Sequence, residues 1–576
     1  MTIMKKYFIY IASSLLVSVL LMTGACTKKY EELNTDPKII TGDLLDPGLL
    51  LTYVQREAIV RGADYGNGTA GSYCGMCVRA DDGPFWEGDM PGEWNFAYEV
   101  AINNLSDIIH LINSREDKDN LVNKVAIARI MKAWAVSKLT DTYGDVPYSE
   151  SCLPKEQAIY SPKYDTQESI YKDLFKELKE AVAQLDASKE SFGRADLFYG
   201  GDVEKWTKLG NSLRLRLALR VRYADAALAQ AQLSDLTEAG LMSEFSDDAY
   251  ILNNLDYPEN QNPRFYRIVN NNTAQESVLT HKVMIDILKN DSLHMDPRIK
   301  IYADTVKAPW KGGLSPNGYF FPAFKYRGQP TLGFVPVEYK YPWGANSCSE
   351  ISDFWRVPVV APALMRCSEV YFALAEAKLA GLLPAAFSGS AQDYYRKGID
   401  ASIEWYKWFY DLAAPQIPDL MIKYLHNPAL APGAQWTQAD VDKYLNYKKI
   451  TDQEVDDFKA TPMYSLSGSE EEQFEKIINQ KIVALYPDEF EGWTEYRRTG
   501  YPKVPIGPDE SHLKGVVPRR NPWPYNEKNI NSASYNEALA RYGGTDNRLT
   551  KFWWDKNPNA PHIYEWTAPS MPKAWQ

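Results

Sequence analysis

Residues 205–220 read KWTKLGNSLRLRLALR, and this stretch is the clearest indication of the fold. Apolar residues recur through it at helical spacing, in a stripe formed by Trp206, Leu209, Leu213, Leu217 and Val221. The arginines at positions 214, 216 and 220 lie off the stripe. The pattern therefore predicts an amphipathic helix that turns its apolar side toward a core.

The same helical spacing recurs on both sides of this stretch. Clear stripes occupy residues 122–134, 364–374 and 474–485, and weaker helical patterns cover 93–113, 167–186, 276–290 and 391–411. Strand patterns are few. We therefore predict a mostly α fold with little β structure.

Long irregular segments connect the helical stretches. Residues 241–275, 302–362 and 500–576 are rich in proline, glycine, asparagine and aromatic residues, a composition typical of ordered loops. No linker-like segment occurs after about residue 40, so residues 41–576 are predicted to form a single domain. Helix pairs within 93–222 are compatible with stacked helical hairpins, although no sequence repeat is obvious.

The overall composition excludes two broad classes of protein. With 45% hydrophobic and 24% charged residues, the chain is too apolar to be disordered throughout. The 63 basic residues against 75 acidic ones leave a net charge of −12, which argues against a nucleic acid partner. The same charge disfavours strongly anionic ligands unless a local basic pocket exists. Aromatic residues reach 13% and suit wet binding surfaces as well as cores.

The amino terminus has the form of an export signal. Two lysines precede an apolar run of signal-peptide length, and small residues then lead into Cys26. This arrangement resembles the lipobox of bacterial lipoproteins, with Thr23 in the place usually taken by leucine. We predict a signal peptide over 1–25, acylation of Cys26 and a lipidated tether over 26–40. An uncleaved membrane span is the alternative.

Beyond Cys26 the cysteines lie at positions 74, 77, 152, 348 and 367, an odd and sparse set for an exported chain. No disulfide scaffold is predicted. Cys74 and Cys77 form a C-x-x-C pattern without a second ligand pair for zinc, which predicts either a local disulfide or two free thiols. No metal or cofactor is predicted, although the acidic residues between Asp81 and Asp89 leave a calcium ion (Ca²⁺) as an alternative.

Two loops combine aromatic rings with polar side chains, and we predict ligand contact there. A flat indole or phenol can cover the apolar face of a sugar ring while neighbouring polar groups bond its hydroxyls. Residues 61–96 supply Tyr65, Tyr73, Arg79, Asp81, Phe85, Trp86 and Trp94, and residues 341–356 supply Trp343, Asn346 and Trp355. Packed structure is the alternative for both loops, because tryptophan is highly buried on average.

Three charged motifs are interpreted as architecture rather than chemistry. In TDTYGDVPYSE, Asp141 and Asp145 are turn residues that satisfy local backbone donors. The motif EFEGWTEYRRTG predicts a dense ion-pair face on a helix that ends near Gly500. Arg519 and Arg520 are predicted to fasten the C-terminal loop to carboxylates of the body.

Several segments together resemble one family. In chain order they are NTDP (34–37), TDTYGDVPYSE (140–150), KWTKLGNSLRLRLALR (205–220), SEVYFALAEAKLAG (368–381), YPDEFEGWTEYRRTGYPK (486–503), VPRRNPWPYNEKNIN (517–531) and DNRLTKFWWD (546–555). Behind a lipoprotein signal and in this order, they are similar to the SusD/RagB outer-membrane nutrient-uptake lipoproteins, in their second SusD-like subgroup.

The resemblance implies a mostly α-helical SusD-like fold with four tetratricopeptide-like helix pairs, long irregular loops and little β structure. It also implies a surface lipoprotein that acts as a lid on a SusC-type TonB-dependent outer-membrane transporter. The usual cargo of the family is an oligosaccharide, and some members handle peptides. A peptide-binding uptake lipoprotein therefore remains an alternative.

Enzymatic motifs are absent from the sequence. It contains no G-x-S-x-G elbow, no H-E-x-x-H pair, no P-loop and no dinucleotide fingerprint. We therefore expect a non-enzymatic protein that binds oligosaccharide at the cell surface and delivers it to the transporter. A surface-anchored glycoside hydrolase is the remaining alternative, since its two acids need not lie close in sequence.

Overall fold

Helices dominate the structure, in agreement with the mostly α prediction. The computed structural model describes residues 45–65, 69–79, 91–154, 157–257, 260–270, 278–289, 294–306, 313–314, 320–321, 325–329, 348–425, 435–504 and 517–560. The predicted signal peptide, Cys26 and the lipidated tether lie outside these ranges.

The α-helices of the first half are α1 (Pro47–Tyr65), α2 (Thr69–Tyr73), α3 (Pro91–Asn95), α4 (Asn103–Asn113), α5 (Val122–Tyr143), α6 (Gln167–Gln184), α7 (Val203–Val221), α8 (Ala226–Leu233), α9 (Pro263–Asn270) and α10 (Lys282–Lys289). A π-helical segment, Phe96–Ile102, joins α3 to α4. The second half contributes α11 (Ile299–Tyr302), α12 (Cys367–Leu379), α13 (Ala391–Ala413), α14 (Ile417–Tyr424), α15 (Gln438–Lys448), α16 (Asp452–Lys459), α17 (Glu470–Leu485), α18 (Glu489–Thr499), α19 (Glu527–Ile530) and α20 (Ser532–Arg541).

Short strands form four antiparallel pairs in the described residues. β1 (Cys77–Arg79) pairs with β5 (Val278–Thr280), and β2 (Val146–Pro147) pairs with β3 (Tyr164–Asp165). β4 (Ala249–Tyr250) pairs with β8 (Ala363–Met365), and β6 (Gly313–Leu314) with β7 (Phe320–Phe321). The strands fasten loops to the helical scaffold and build no larger sheet.

Successive long helices pack against one another. α4 contacts α5, α5 contacts α6, α6 contacts α7 and α7 contacts α8, which is the stacked-hairpin arrangement that the sequence is compatible with. A second group places α12 against both α13 and α17. Helix α7 also packs on α12 and so connects the two groups.

Local sequence explains where the main helices begin and end. Asp202 caps α7 by accepting hydrogen bonds from the backbone N–H groups of Glu204 and Lys205. Gly144 follows α5 with φ +86°, and Gly500 ends α18 in the left-handed conformation at φ +79°. Glycine adopts both conformations without steric cost.

The apolar stripes predicted in α5 and α7 do not mark the only buried sides of these helices. Helix α5 is buried on nearly all of its faces because α4, α6 and the π-helical segment surround it. In α7 the off-stripe Arg214, Arg216 and Arg220 are buried as well. Buried carboxylates pair with Arg216 and Arg220, and the exposed Asp235 pairs with Arg214.

Two other boundaries differ from the prediction. The helical pattern over 276–290 splits into strand β5 and the shorter helix α10. The C-terminal segment, predicted as irregular, contains α19 and α20. Short elements leave little periodic signal in a sequence, so β5, α19 and α20 could not be recognised among the surrounding loop residues.

Residues 50–576 form one compact unit. Within the described part of the chain, the helices are all too short or too polar to cross a membrane.

Candidate functional site

A cleft of about 770 Å³ opens between helices α4, α5 and α6. Each helix contributes residues at helical spacing, which places them on one side of that helix. The segment after strand β2 completes the wall. The lining residues are Ile109, His110, Asn113, Val125, Arg129, Lys132, Ala133, Tyr148, Ser149, Ser151, Cys152, Leu153, Asp165, Ser169, Asp173, Leu174, Glu177 and Gln184.

The acidic groups of this cleft already accept hydrogen bonds. Glu177 binds the Arg129 guanidinium through both oxygens, at 2.9 and 3.0 Å. Asp173 accepts from the hydroxyl of Tyr148 at 2.7 Å, which holds the phenol ring at the wall. Asp165 accepts from the backbone N–H of Ser149 at 2.7 Å and so fixes the loop after β2.

Lys132 differs from its charged neighbours. It is half-buried on α5, and within the described ranges it makes neither a hydrogen bond nor an ion pair. Burial lowers the pKa of its ammonium, while Cys152, Glu177 and Asp173 act in the opposite direction. The cleft therefore contains a cationic donor whose hydrogen-bonding capacity is not used by any residue that the structure describes.

Cys152 borders the same cleft. It is half-exposed and adopts φ +51°, a backbone conformation uncommon for a residue other than glycine. Burial raises the pKa of its thiol, so the group is not an activated nucleophile. The cysteines at 74, 77, 348 and 367 are buried free thiols, which decides the C-x-x-C alternatives in favour of free thiols.

Three of the predicted ligand-contact rings are buried in the core. Tyr73 packs on Trp493 at 5.4 Å between ring centroids. Trp355 stacks on Phe409 at 4.3 Å and donates from its indole to the carbonyl of Ile301. The third is Trp94, which is 8% exposed. In this structure these rings make packing contacts, which corresponds to the alternative stated for both loops.

For two other residues of the predicted site, Tyr65 and Arg79, the structure gives the position of the backbone. Tyr65 is the last residue of α1, and Arg79 pairs with Val278 at the end of β1. Asp81, Phe85, Trp86, Trp343 and Asn346 lie outside the described residues. Their ligand contact stays a prediction.

Trp94 nevertheless links the first aromatic loop to the cleft. Its ring lies 5.0 Å from that of Tyr98, and the hydroxyl of Tyr98 donates to the carbonyl of Pro147 at 2.5 Å. The next residue, Tyr148, is part of the cleft wall. The end of the predicted loop and the cleft therefore share one packed boundary.

The sequence reasoning missed the residues of the cleft itself. Arg129 and Lys132 stand three residues apart on a largely apolar helix, which is the one signal that could have marked them. Tyr148 was part of a motif interpreted as architecture.

The charged motifs are architectural, as predicted, but Asp141 is not a turn residue: it lies inside α5 and accepts from side chains distant in sequence instead of local backbone donors. Asp141 accepts from Arg220, from the Tyr171 hydroxyl and from the indole of Trp554. Against the effect of burial, Arg498 and Lys481 hold the pKa of Glu495 below its usual range. These carboxylates are fully engaged inside the protein and offer no free acid or base.

Arg519 and Arg520 fasten the C-terminal segment, also as predicted. Arg519 pairs with Asp555, and Arg520 pairs with Asp546, each at 2.6 Å. All four side chains are buried.

Metal-ligating clusters are a further kind of site to consider. Among residues whose placement the structure describes, no three histidine, cysteine or acidic side chains lie together as a metal site would require. The segment between Asp81 and Asp89 lies outside those residues, so the calcium alternative stays open as a prediction.

A family model described as starch-binding and associating with the outer membrane matches residues 88–524. The chain belongs to the SusD-like family. The match covers the helical scaffold, the cleft and the buried charged motifs, and it confirms the resemblance found in the sequence. No curated protein matches this SusD-like chain.

Solved structures resemble the SusD-like chain over most of its length. One chitin-binding protein is 28% identical, with a TM-score of 0.68 over 89% of this chain and 100% of its own. A SusD homologue from Bacteroides fragilis, 21% identical, has a TM-score of 0.67 over 89% and 100%. A chitin-binding SusD homologue from Flavobacterium johnsoniae, 24% identical, has a TM-score of 0.61 over 88% and 98%. The last two likenesses establish the fold alone.

Proposed function

We propose that this SusD-like protein binds an oligosaccharide at the cell surface and delivers it to a SusC-type TonB-dependent transporter, without catalysis. The family match over residues 88–524 carries this proposal, because the family is described as starch-binding and associated with the outer membrane. The buried carboxylates already bind protein groups. This supports the proposed absence of catalysis, since a glycosidase needs two acids that face its substrate.

Oligomers of N-acetylglucosamine are the first ligands to consider. The 28% identical neighbour is a chitin-binding protein, and the cleft offers the mixture of polar and apolar groups that a sugar requires. Its volume of about 770 Å³ lies within the usual range for small-ligand sites. Tyr148 supplies an aromatic ring at the wall, and amides and hydroxyls surround it.

The amino terminus supports a membrane-anchored location. An acylated Cys26 would tether the body through the 26–40 segment, since two or more acyl chains hold a protein stably at a membrane. The outer-membrane association of the family agrees with this arrangement.

Isothermal titration of a soluble form, residues 27–576, tests the proposal. This form keeps all residues of the 50–576 unit. The panel contains N-acetylglucosamine oligomers, malto-oligosaccharides, a uronic acid oligomer and a peptide digest, and the samples are then analysed for products. Saturable heat with an intact sugar is expected.

Other outcomes would change the assignment. Heat with peptides alone would favour the peptide-uptake alternative, and a cleaved sugar would favour the glycoside hydrolase. The transporter is sought separately, by crosslinking the lipidated protein in outer membranes, where a partner with the size of a TonB-dependent barrel is expected.

A further inference from the structure

We propose that Lys132 recognises the acetamido carbonyl of an N-acetylated sugar in the cleft between α4, α5 and α6, and that this cleft selects uncharged ligands. The inference rests on the proposed glycan-binding function and specifies its site and ligand chemistry.

The first argument is the unused ammonium. An ammonium group carries three hydrogen-bond donors, and a partly buried one without partners costs free energy. Lys132 makes no hydrogen bond or ion pair in the described part of the chain, and burial lowers its pKa. A ligand acceptor that reaches Lys132 would recover part of that cost.

The second argument is that the neighbouring acids have other partners. Glu177 is held by Arg129, Asp173 by the Tyr148 hydroxyl and Asp165 by the backbone of Ser149. Glu177 and Asp173 still favour the charged form of Lys132 electrostatically, but they form no hydrogen bond with it. Among the described residues, the Lys132 ammonium therefore has no partner that would compete with a ligand.

The third argument is the charge of the lining. The cleft contains two side chains that are always or usually cationic, Arg129 and Lys132, against three carboxylates. The balance is negative, so a ligand carboxylate would meet like charges around Lys132. A neutral acceptor avoids that repulsion, whereas a protonated ligand amine has no lone pair with which to accept a hydrogen bond from Lys132.

The acetamido group fits this combination. Its carbonyl oxygen accepts a hydrogen bond without carrying charge, and its methyl group suits the apolar part of the lining. Val125, Ala133 and Leu174 supply that apolar surface beside Lys132.

Titration of matched variants tests the role of Lys132. The soluble form is titrated with the N-acetylglucosamine tetramer, its deacetylated counterpart and a uronic acid tetramer. We expect binding of the acetylated sugar only, and Lys132→Met should weaken it about tenfold or more, since a hydrogen bond to a charged group is lost. Lys172→Met, at an exposed position of α6, is the control and should bind as the unmodified protein does.

The variant is suitable because it should fold. Methionine has a similar length, and the substitution breaks no hydrogen bond or ion pair within the described residues. Thermal unfolding of both variants checks this point. Equal affinity of Lys132→Met and the unmodified protein, or preference for the uronic acid tetramer, would overturn the inference.

Cys152 provides an independent measurement of where the sugar lies. It is the half-exposed cysteine of the soluble form, in which the other four are buried, so a thiol reagent should modify it first. Saturating acetylated tetramer should slow this modification several-fold, and Cys152→Ser should abolish the signal.

The two measurements separate the two proposals. If the tetramer binds but leaves the rate at Cys152 unchanged, the site is elsewhere and the inference fails while the glycan-binding function stands. If no sugar in the panel gives heat or protection, both are overturned.

Discussion

Arg216 donates from its Nε to Glu369 at 2.7 Å, and both side chains are buried. Arg115 donates to Asp117 over the same 2.7 Å, but these side chains are about half exposed. The pairs have the same geometry in different surroundings. Comparison of the two therefore isolates what burial contributes to the free energy of unfolding.

We expect Arg216→Met to lower the free energy of unfolding by about 3–5 kcal/mol, because it leaves the Glu369 carboxylate buried without its main partner. Arg115→Met should leave stability unchanged within experimental error, since water screens an exposed pair. Urea unfolding of both variants measures the difference. Equal effects would contradict the view that the interior holds its charges only in pairs.

Asp248 gives a prediction on pH. Burial raises its pKa to about 7, and the nearby Asp247 acts in the same direction, although Asp248 accepts a hydrogen bond from the backbone N–H of Cys367 and lies near Arg366. In the unfolded chain the group titrates near its ordinary value of about 3.9. Between these values the folded state binds a proton that the unfolded state does not, so this group adds stability as pH falls through 7.

Asp248→Asn removes this titration and keeps an acceptor for the backbone N–H. We expect the variant to gain stability relative to the unmodified protein as pH rises from 6 to 8. Unfolding free energies measured at several pH values check this. A difference that is constant over this range would exclude Asp248 as the titrating group.

The sequence predicted that charged residues form ion pairs, but not that these pairs are buried. The motif with Glu495 and Arg498 predicted ion pairs on a helix, and they are present. The arginines of α7 were expected to lie away from the core, because periodicity ranks arginine as polar. Burial of Arg216 depends on Glu369, which is 153 residues away and invisible to any local pattern.

The helices themselves meet at close range around Gly210. This residue lies in α7, and a Cβ atom built on it would approach Val182 Cγ2 to 2.5 Å and Ile130 Cδ1 to 3.3 Å. Helices α5, α6 and α7 therefore meet at this glycine. The glycine lowers helix propensity but permits close packing.

Gly210→Ala should destabilise the protein by about 1–3 kcal/mol despite a propensity gain of about 1 kcal/mol, because the added methyl overpacks the contact. Val182→Ala in the same chain should reduce the loss, since it removes the nearest methyl groups. Thermal unfolding of the two single variants and the double variant tests this. Purely additive effects would show that the contact with Val182 is not the cause.

Element positions were predictable where periodicity is long. The helices at 122–143, 203–221, 391–413 and 470–485 all coincide with predicted stretches. The π-helical segment Phe96–Ile102 and the short β pairs were not foreseen, because a single turn or a two-residue strand leaves no periodic signal. The cleft was missed for a different reason: it depends on how three predicted helices, α4, α5 and α6, pack together, and no local pattern shows that.

The C-terminal segment donates hydrogen bonds to residues at and just after the end of α5. The indole of Trp554 donates to Asp141 at 2.8 Å, and the indole of Trp523 donates to the carbonyl of Asp145 at 2.8 Å. Both tryptophans are buried. The buried acceptors at the C-terminal end of α5 therefore depend on the C-terminal segment for their hydrogen-bond donors.

We expect a chain that ends at residue 516 to be insoluble or unfolded, because Asp141 and Arg497 would lose buried partners. A chain that ends at residue 560 keeps the described residues and serves as the control. Yield of monomer in gel filtration and helical circular dichroism compare the two. A folded product ending at 516 would contradict this dependence on the C-terminal segment.

The anchor is tested on the whole protein in its cell. Cys26→Ser should abolish acylation and release the protein from the membrane fraction, because the predicted attachment point for the lipid is the Cys26 thiol. Cell fractionation with external protease treatment measures this. Retention of the variant in the membrane would favour the uncleaved span instead.

The contact between Trp554 and Asp141 spans 413 residues, and this separation has a consequence for biosynthesis. At about 5–20 residues per second, a ribosome needs roughly 20–80 s to travel from one residue to the other. During that time the first helical hairpins lack their final partners and cannot complete their interior. The nascent chain should therefore stay loosely folded until synthesis is nearly finished, which is the state that the export predicted from its amino terminus would require.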